Sequence, residues 1–353
     1  MFTDIEDEIP LHEIEGLTAY LKTSIKPPAA IPLSEFTSLN TRQRAEYDAA
    51  RDHYLSGSVI VQTRQVSDAH SVVDTMIRKN NRRADTVRPG LIISGDGSMG
   101  KTTITKILMR KVFNAYTNQF PDFEKESRHP VVYIEVPVGS TGKLLLVAFA
   151  RCLGLTIAAR DTQDTLMVRV SNALKAARTQ LIVVDELQNL SAANRGNGES
   201  IQILRQLHSW VPAIFVFAGI NLRQGQLFAG PAGRQLGGRF TLHELDRFGL
   251  GSIAEKKHWR ALVRAFEREL LLFDRTPNSL DPFCEQLHDL SGGSIATLGK
   301  LLTGTARDLI ARQDPANEII TLELISAQPR DMAADEHHRI TLKHKTSTRR
   351  KGA

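Results

Sequence analysis

Cysteine is nearly absent: the 353 residues hold only Cys152 and Cys284, with no C-x-x-C spacing anywhere. That excludes a disulfide framework and argues against a structural zinc site. No apolar run approaches the roughly 20 residues needed to span a bilayer, and the start, MFTDIEDEIP, is acidic where a secretory signal would be basic and then apolar. The expectation is a cytoplasmic protein with no membrane partner. Charge of one sign is missing at each end. The first fifteen residues hold Asp4, Glu6, Asp7, Glu8, Glu13 and Glu15 with no Lys or Arg. The tail after His337 carries Arg339, Lys343, Lys345, Arg349, Arg350 and Lys351 with no acid. Both ends read as interaction arms. The net charge of +6 permits a polyanionic partner, although basic residues on solvated helix faces give the same total.

The most informative stretch is Leu91 to Thr105, LIISGDGSMGKTTIT. It reads as an apolar strand, a glycine-rich turn, and a helix continuing through Ile104, Ile107, Leu108 and Val112. Gly95, Gly100, Lys101 and Thr102 complete the G-x-x-x-x-G-K-[ST] pattern. Gly95, Gly97 and Gly100 allow backbone dihedrals closed to residues with a Cβ, so successive N–H groups can turn inward around a phosphate. Asp96, Ser98 and Met99 complete the loop, and Thr103 follows it into the helix. Lys101 brings a point charge to the β- and γ-phosphates of ATP, Thr102 offers a hydroxyl to Mg²⁺, and the new helix turns its positive end to the same anion.

Length and pattern predict an α/β P-loop NTPase with a parallel sheet flanked by helices, followed by a small all-helical lid. Residues 1–40, acidic and carrying KPPAAIPL, read as an extension that is partly disordered alone. The α/β domain is expected over 41–247, beginning with a helix in TRQRAEYDAARDHYLSG and a second helix from Ser67. VVYIEVPV, LIVVDE and AIFVFAGIN read as buried strands, and Phe240 to Leu245 as a short one. Two helices separate the first two of these. From Ser252 only helices are expected: Ala254 to Leu272, Leu280 to Leu290, Ile295 to Ala311 and Thr321 to Ala327. That places the lid at 248–328 and a basic tail without stable structure at 329–353.

Asp185 and Glu186 close a buried strand, at the sheet edge where ligands bind in open α/β folds. Asp185 is expected to hold Mg²⁺, directly or through water, and Glu186 to polarise the attacking water. Asn221, past the end of the next strand, can contact the γ-phosphate or simply cap a helix. Arg234 and Arg239 precede the last strand; an arginine there suits a γ-phosphate bound by a neighbouring subunit, with Arg239 the first choice, or forms a surface ion pair.

Together, Gly95 to Thr102, Asp185-Glu186, Asn221, Arg239 and the stretch SGGSIATLGKLL resemble an AAA+ ATPase. More narrowly they resemble the transposition ATPases TniB and TnsC, relatives of Mu transposition protein B, with support from TRQRAEYDAARDHYLSG and VVYIEVPVGSTGKLLLVAFARCLGL. The resemblance covers about Thr41 to Ala327. It implies ATP bound at subunit interfaces, homo-oligomeric rings or filaments on double-stranded DNA, a partner transposase and a TniQ-type adaptor. Hydrolysis would disassemble the oligomer. It further implies that Ser140, Thr141 and Lys143, with Arg160 and Thr162, track a phosphate backbone; as local structure, Ser140 and Thr141 are helix caps and the two cations solvated. Many relatives carry an arginine at the start of the last long lid helix, where Ser294-Ile295-Ala296 offers none, so hydrolysis is expected to be slow. The alternatives are a nucleotide switch for protein assembly without DNA, and a helicase loader or initiator.

Overall fold

The apolar runs form five parallel strands: β1 (Gly90–Gly95), β2 (Val131–Glu135), β3 (Leu181–Asp185), β4 (Ile214–Gly219) and β5 (Phe240–Leu245). In this computed structural model residues 9–23, 26–57, 59–80, 88–190, 198–223, 228, 231–273 and 276–330 are described, the side chains of Lys79, Asn80 and Ala232 excepted. The basic tail and the acidic positions Asp4, Glu6, Asp7 and Glu8 lie outside the described residues. The helices are α1 (Ile14–Lys22), α2 (Leu33–Ser38), α3 (Thr41–Leu55), α4 (Arg64–Asn80), α5 (Lys101–Gln119), α6 (Gly142–Cys152), α7 (Gln163–Ala176), α8 (Gly198–Trp210), α9 (Pro231–Gly237), α10 (Ile253–Glu269), α11 (Cys284–Ser291), α12 (Ile295–Ala311) and α13 (Leu322–Ala327). None of the described helices is long and apolar enough to cross a membrane. The chain divides into two compact units, one from residues up to 24 with 64–96 and 101–245, the other from 25–63, 97–100 and 246 onward.

The first unit holds the sheet, in the order β2-β3-β4-β1-β5. From β1 the chain crosses to the far edge, returns through β3 and β4, and then passes over β1 to β5. Each of β1 to β4 is an almost continuous buried run, as a parallel sheet covered on both faces requires. Side chains alternate between faces. Ile92, Val132, Ile134, Ile182, Val184, Phe215 and Phe217 meet α6, α7 and α8 in one core. The other face is covered by α4 and α5. Thr141 caps α6 by accepting the Leu144 N–H at 3.3 Å, and Thr162 caps α7 by accepting the Thr165 N–H at 3.1 Å.

The start of the chain differs from the expected extension. Ile14, Leu17 and Leu21 recur at helical spacing, and α1 buries Leu17 and Leu21 in the first unit beside β2 and α5. A Cβ on Gly16 would stand 2.2 Å from the Ile9 carbonyl oxygen, so the close return of the chain there depends on glycine. The next helices, α2 and α3, fall in the second unit instead.

In the second unit α3 packs against α12 and buries a cation between itself and the segments that follow α10 and precede α13. The Arg51 guanidinium, wholly buried, donates to both carboxylate oxygens of Glu318 at 2.8 and 2.9 Å, to Asp48 at 2.6 Å and to the Leu271 carbonyl at 3.0 Å. It also lies 4.4 Å from the Phe273 ring centre. This fork explains why α3 belongs with the C-terminal helices and not with the sheet. Trp259, also fully buried, donates from Nε1 to the Cys284 carbonyl at 2.7 Å and ties α10 to α11. Removing one partner of a buried ion pair strands the other, at about 3–5 kcal/mol. Glu318→Ala should therefore cost about that much in urea unfolding of the helical unit, whereas Arg51→Met with Glu318→Leu should recover most of it.

In the first unit His208 is buried between the rings of Phe215 and Phe240, with centres 5.3 and 5.0 Å away. Burial pushes its imidazole from 6.5 down to about 4, and the nearby Arg239 guanidinium adds to the effect. The unfolded chain takes up that proton near pH 6.5 and the folded chain only near pH 4, so stability present above pH 6.5 drains away as pH falls between those values. Over the whole window the loss amounts to about 3 kcal/mol. His208→Phe should remove about 2 kcal/mol of the stability difference between pH 7.5 and pH 5 in urea titrations; an unchanged difference would place the sensitivity elsewhere.

Candidate nucleotide site

Parallel strands bring their carboxyl ends to one edge of the sheet, and β1, β3 and β4 end there at Gly95, Asp185 and Gly219. The loop after β1 turns through two left-handed residues, Ser98 at φ 61° and Gly100 at φ 83°, before α5 begins at Lys101. Gly95 packs its Cα against β5, where an added Cβ would lie 2.7 Å from the Leu245 carbonyl oxygen. Lys101 is almost completely buried. Its ammonium donates to the carbonyls of Gly95 at 2.8 Å and Asp96 at 2.6 Å. Burial lowers its pKa, and the carboxylates of Glu186, Asp185 and Asp96 oppose that shift. The residues 97–100 cluster with the second unit, where the Ser294 hydroxyl, at the N-cap of α12, donates to the Ser98 carbonyl at 2.8 Å.

Thr102, in the first turn of α5, donates its hydroxyl to Asp185 Oδ2 at 3.2 Å. The same oxygen accepts the Tyr133 hydroxyl at 3.2 Å, and Oδ1 accepts the Glu186 N–H at 2.8 Å. Burial, with the adjacent Asp185 charge, pushes the Tyr133 phenol upward and keeps it a donor. Thr102 and Asp185 thus present two hard oxygens at the mouth of the loop. Among the described residues no group of three or more His, Cys, Asp or Glu could hold a metal ion. This donor set fits Mg²⁺, which takes one or two protein oxygens and completes its octahedron with water and phosphate.

Glu186 leaves β3 in the left-handed region at φ 56° and begins a short 3-10 turn, Leu187–Asn189. Its carboxylate accepts a hydrogen bond from Gln188 Nε2. Past β4, Asn221 is exposed and also left-handed at φ 49°. The turn that carries it is pinned from both sides: Ile220 N–H donates to Gln188 Oε1 at 2.8 Å and Leu222 N–H donates to Ser94 Oγ at 3.0 Å. Asn221 therefore sits in a tight turn at the same sheet edge as Asp185.

Arg239 is not brought to this edge. It immediately precedes β5, and the pairing of Gly90 with Phe240 puts it at the amino end of the sheet. Its carbonyl accepts the Gly90 N–H at 3.1 Å, and its guanidinium donates to Ser209 at 3.3 Å. The six residues of β1 separate it from the Gly95 loop, a distance of about 17 Å. Arg234 is exposed on α9. Of the five residues linked to DNA, Lys143, Arg160 and Thr162 are exposed and Thr141 is partly so. Ser140 is not available: it is fully buried, its hydroxyl is directed at the Thr141 carbonyl at 3.4 Å, and Thr141 alone caps α6.

Sequence reading passed over Tyr133, Gln188 and Ser94. Tyr133 lay inside a strand that looked purely structural, yet its period-two relation to Glu135, the register partner of Asp185, puts it on the Asp185 face. Gln188 carried the better signal, a polar side chain two residues past an acidic pair.

A family model described as the bacterial TniB protein matches residues 56–250. The chain belongs to the TniB family. TniB proteins are AAA+ transposition ATPases, and the sheet, flanking helices and helical C-terminal region form an AAA+ P-loop ATPase fold. No curated protein matches this TniB chain. Solved structures do. The ORC2 protein of Aeropyrum pernix, in ADPNP-ADP complexes, superposes with a TM-score of 0.55 at 14% identity, covering 77% of this chain and 69% of its own. ORC1 of the same organism, in complex with DNA, gives 0.54 at 14% identity over 78% and 67%. Cdc6p of Pyrobaculum aerophilum gives 0.53 at 16% over 76% and 68%. At such identities the likeness is one of fold.

Asp185→Asn and Thr102→Val should each weaken nucleotide binding about tenfold when Mg²⁺ is present and change it little in EDTA. Fluorescent ATP titrations in both buffers check this; equal losses in both would mean the pair serves the loop and not the metal.

Proposed function

We propose that this TniB-family ATPase binds MgATP, assembles on duplex DNA and marks it for a transposase. The observation that carries the nucleotide chemistry is the 3.2 Å contact between Thr102 and Asp185, with Lys101 at the preceding position of the same helix. In this reading Gly95 to Thr103 wrap the phosphates, and Lys101 offsets β- and γ-phosphate charge. Thr102 and Asp185 hold Mg²⁺, which supplies charge stabilisation at the phosphates when bound. Glu186 accepts a proton from the attacking water, and Asn221 orients that water or the γ-phosphate.

Arg239 sits a strand length from its own loop, so it serves as a finger only for the site of a neighbouring subunit, with Arg234 the second choice. That geometry favours an oligomer whose sites are completed in trans. The start of α12 carries Ser294, Ile295 and Ala296 and supplies no cation, which favours slow turnover suited to a timed assembly. For DNA, Lys143 and Arg160 stand exposed near the N-termini of α6 and α7. Their side chains, with those helix ends, suit phosphates and carry no base identity. Thr141 and Thr162 already cap their helices, which leaves the two cations as the main contacts. The basic tail would engage DNA or an acidic transposase surface, and a TniQ-type adaptor would join the assembly.

Electron microscopy of the full chain with duplex DNA, under ATP, a non-hydrolysable analogue, ADP and no nucleotide, tests the reading. Rings or filaments on DNA should form only with ATP or the analogue, and Lys143→Ala with Arg160→Ala should reduce them on every DNA sequence. Assemblies indifferent to DNA would turn the assignment toward a protein-assembly switch.

A further inference from the structure

Gln188 joins two parts of the site that lie past the paired ends of β3 and β4. Its Nε2 donates to Glu186 Oε2, and its Oε1 accepts the Ile220 N–H at 2.8 Å. One amide thus links the carboxylate after β3 to the backbone after β4, one residue before Asn221. The room for this amide is made by Gly219. A Cβ there would lie 2.5 Å from Gln188 Oε1, and the backbone of Gly219 is not left-handed. A side chain at the end of β4 would therefore push the Gln188 amide out of its present place.

The turn that presents Gln188 is itself fixed. Asn189 N–H donates to the Glu186 carbonyl at 2.8 Å, and Asn189 Nδ2 donates to the Val136 carbonyl at 3.0 Å. Glu186 pays for that turn with a left-handed backbone, which costs a non-glycine residue roughly 1–2 kcal/mol. Three side-chain torsions still separate that fixed backbone from the carboxylate, so the position of the carboxylate depends on what holds its end. Gln188 grips one oxygen of the carboxylate and leaves the other for a proton.

We propose that Gln188 is a positioning residue for hydrolysis: it fixes the Glu186 carboxylate to the end of β4, so that base and Asn221 turn keep one relative placement. The inference rests on Glu186 being the base for the attacking water. Nothing in it requires Gln188 to touch nucleotide, so binding should be spared while turnover falls.

Steady-state ATPase assays of the full chain with saturating duplex DNA test this, using Glu186→Gln, Gln188→Ala, Gly219→Ala and the Gln188→Ala/Gly219→Ala double variant. Fluorescent ATP affinity and melting temperature are read on each. Gln188→Ala should lower kcat about tenfold with KM and ATP affinity within about twofold. Gly219→Ala displaces the same amide by a different route and should lower kcat similarly. The double variant should be no slower than the worse single one, because both changes break one link. A kcat for Gln188→Ala at or above that of the unmodified chain overturns the proposal, as do effects that multiply in the double variant or a KM that rises in step. Glu186→Gln separates the two levels. If it leaves kcat unchanged, the assignment of the base fails and the positioning role fails with it; if it abolishes turnover while Gln188→Ala does not, only the positioning role falls.

Discussion

A carboxylate buried at the end of a buried strand governs this site. Asp185 is 1% exposed, and a charge so placed is tolerated only when its oxygens are occupied. Thr102, Tyr133 and the Glu186 N–H supply three donors, drawn from α5, β2 and the residue after β3. Each donor fixes something beyond Asp185. Thr102 sets the first turn of α5 and with it the exit of the glycine loop; Tyr133 locks the register of the edge strand; the Glu186 N–H forces the chain out of the sheet in a left-handed turn. The first turn of α5 and the acidic pair are therefore held together, though 83 residues separate Thr102 from Asp185.

The strand order explains why a third segment enters. β4 lies between β1 and β3, so anything reaching from the glycine loop to Asp185 and Glu186 passes over the end of β4. That end is Gly219, Ile220 and Asn221, and the backbone N–H groups of Ile220 and Leu222 on either side of Asn221 are taken by side chains of the flanking strands' segments, Gln188 and Ser94 respectively. Groups in such a turn would otherwise lose water without a partner.

Much of this was legible in the sequence, for reasons that are local. The glycine loop, the cap at Thr141 and the apolar runs of β1 to β4 are each written within a few residues, and they appear where the pattern puts them. Residues whose meaning comes from distant partners were not legible. Nothing near Arg51 in the sequence sets it apart from the other cations of its helix, because Glu318, its counter-ion, lies 267 residues away. That pair moves α3 into the helical unit against the expected boundary at 41. Leu17 and Leu21 were too few in an acidic stretch to announce a helix, and only the sheet-side surface beside β2 gives them something to bury against. Ser140, adjacent to the true cap, was indistinguishable from it until burial separated them.

The position of Arg239 carries the argument from one chain to several. Parallel strands are polar objects: one edge gathers carboxyl ends, with their loops and helix N-termini, and the other gathers amino ends. A cation placed just before β5 belongs to the second edge by construction, and no side-chain rotation carries it a strand length to the first. In the proposed oligomer, phosphate charge within reach of Arg239 would belong to another subunit, and assembly would then be a condition of turnover. Its own surroundings agree with a rigid mount: the carbonyl is bonded to Gly90, the guanidinium reaches Ser209, and the backbone leads into Phe240, stacked 4.5 Å from Phe217.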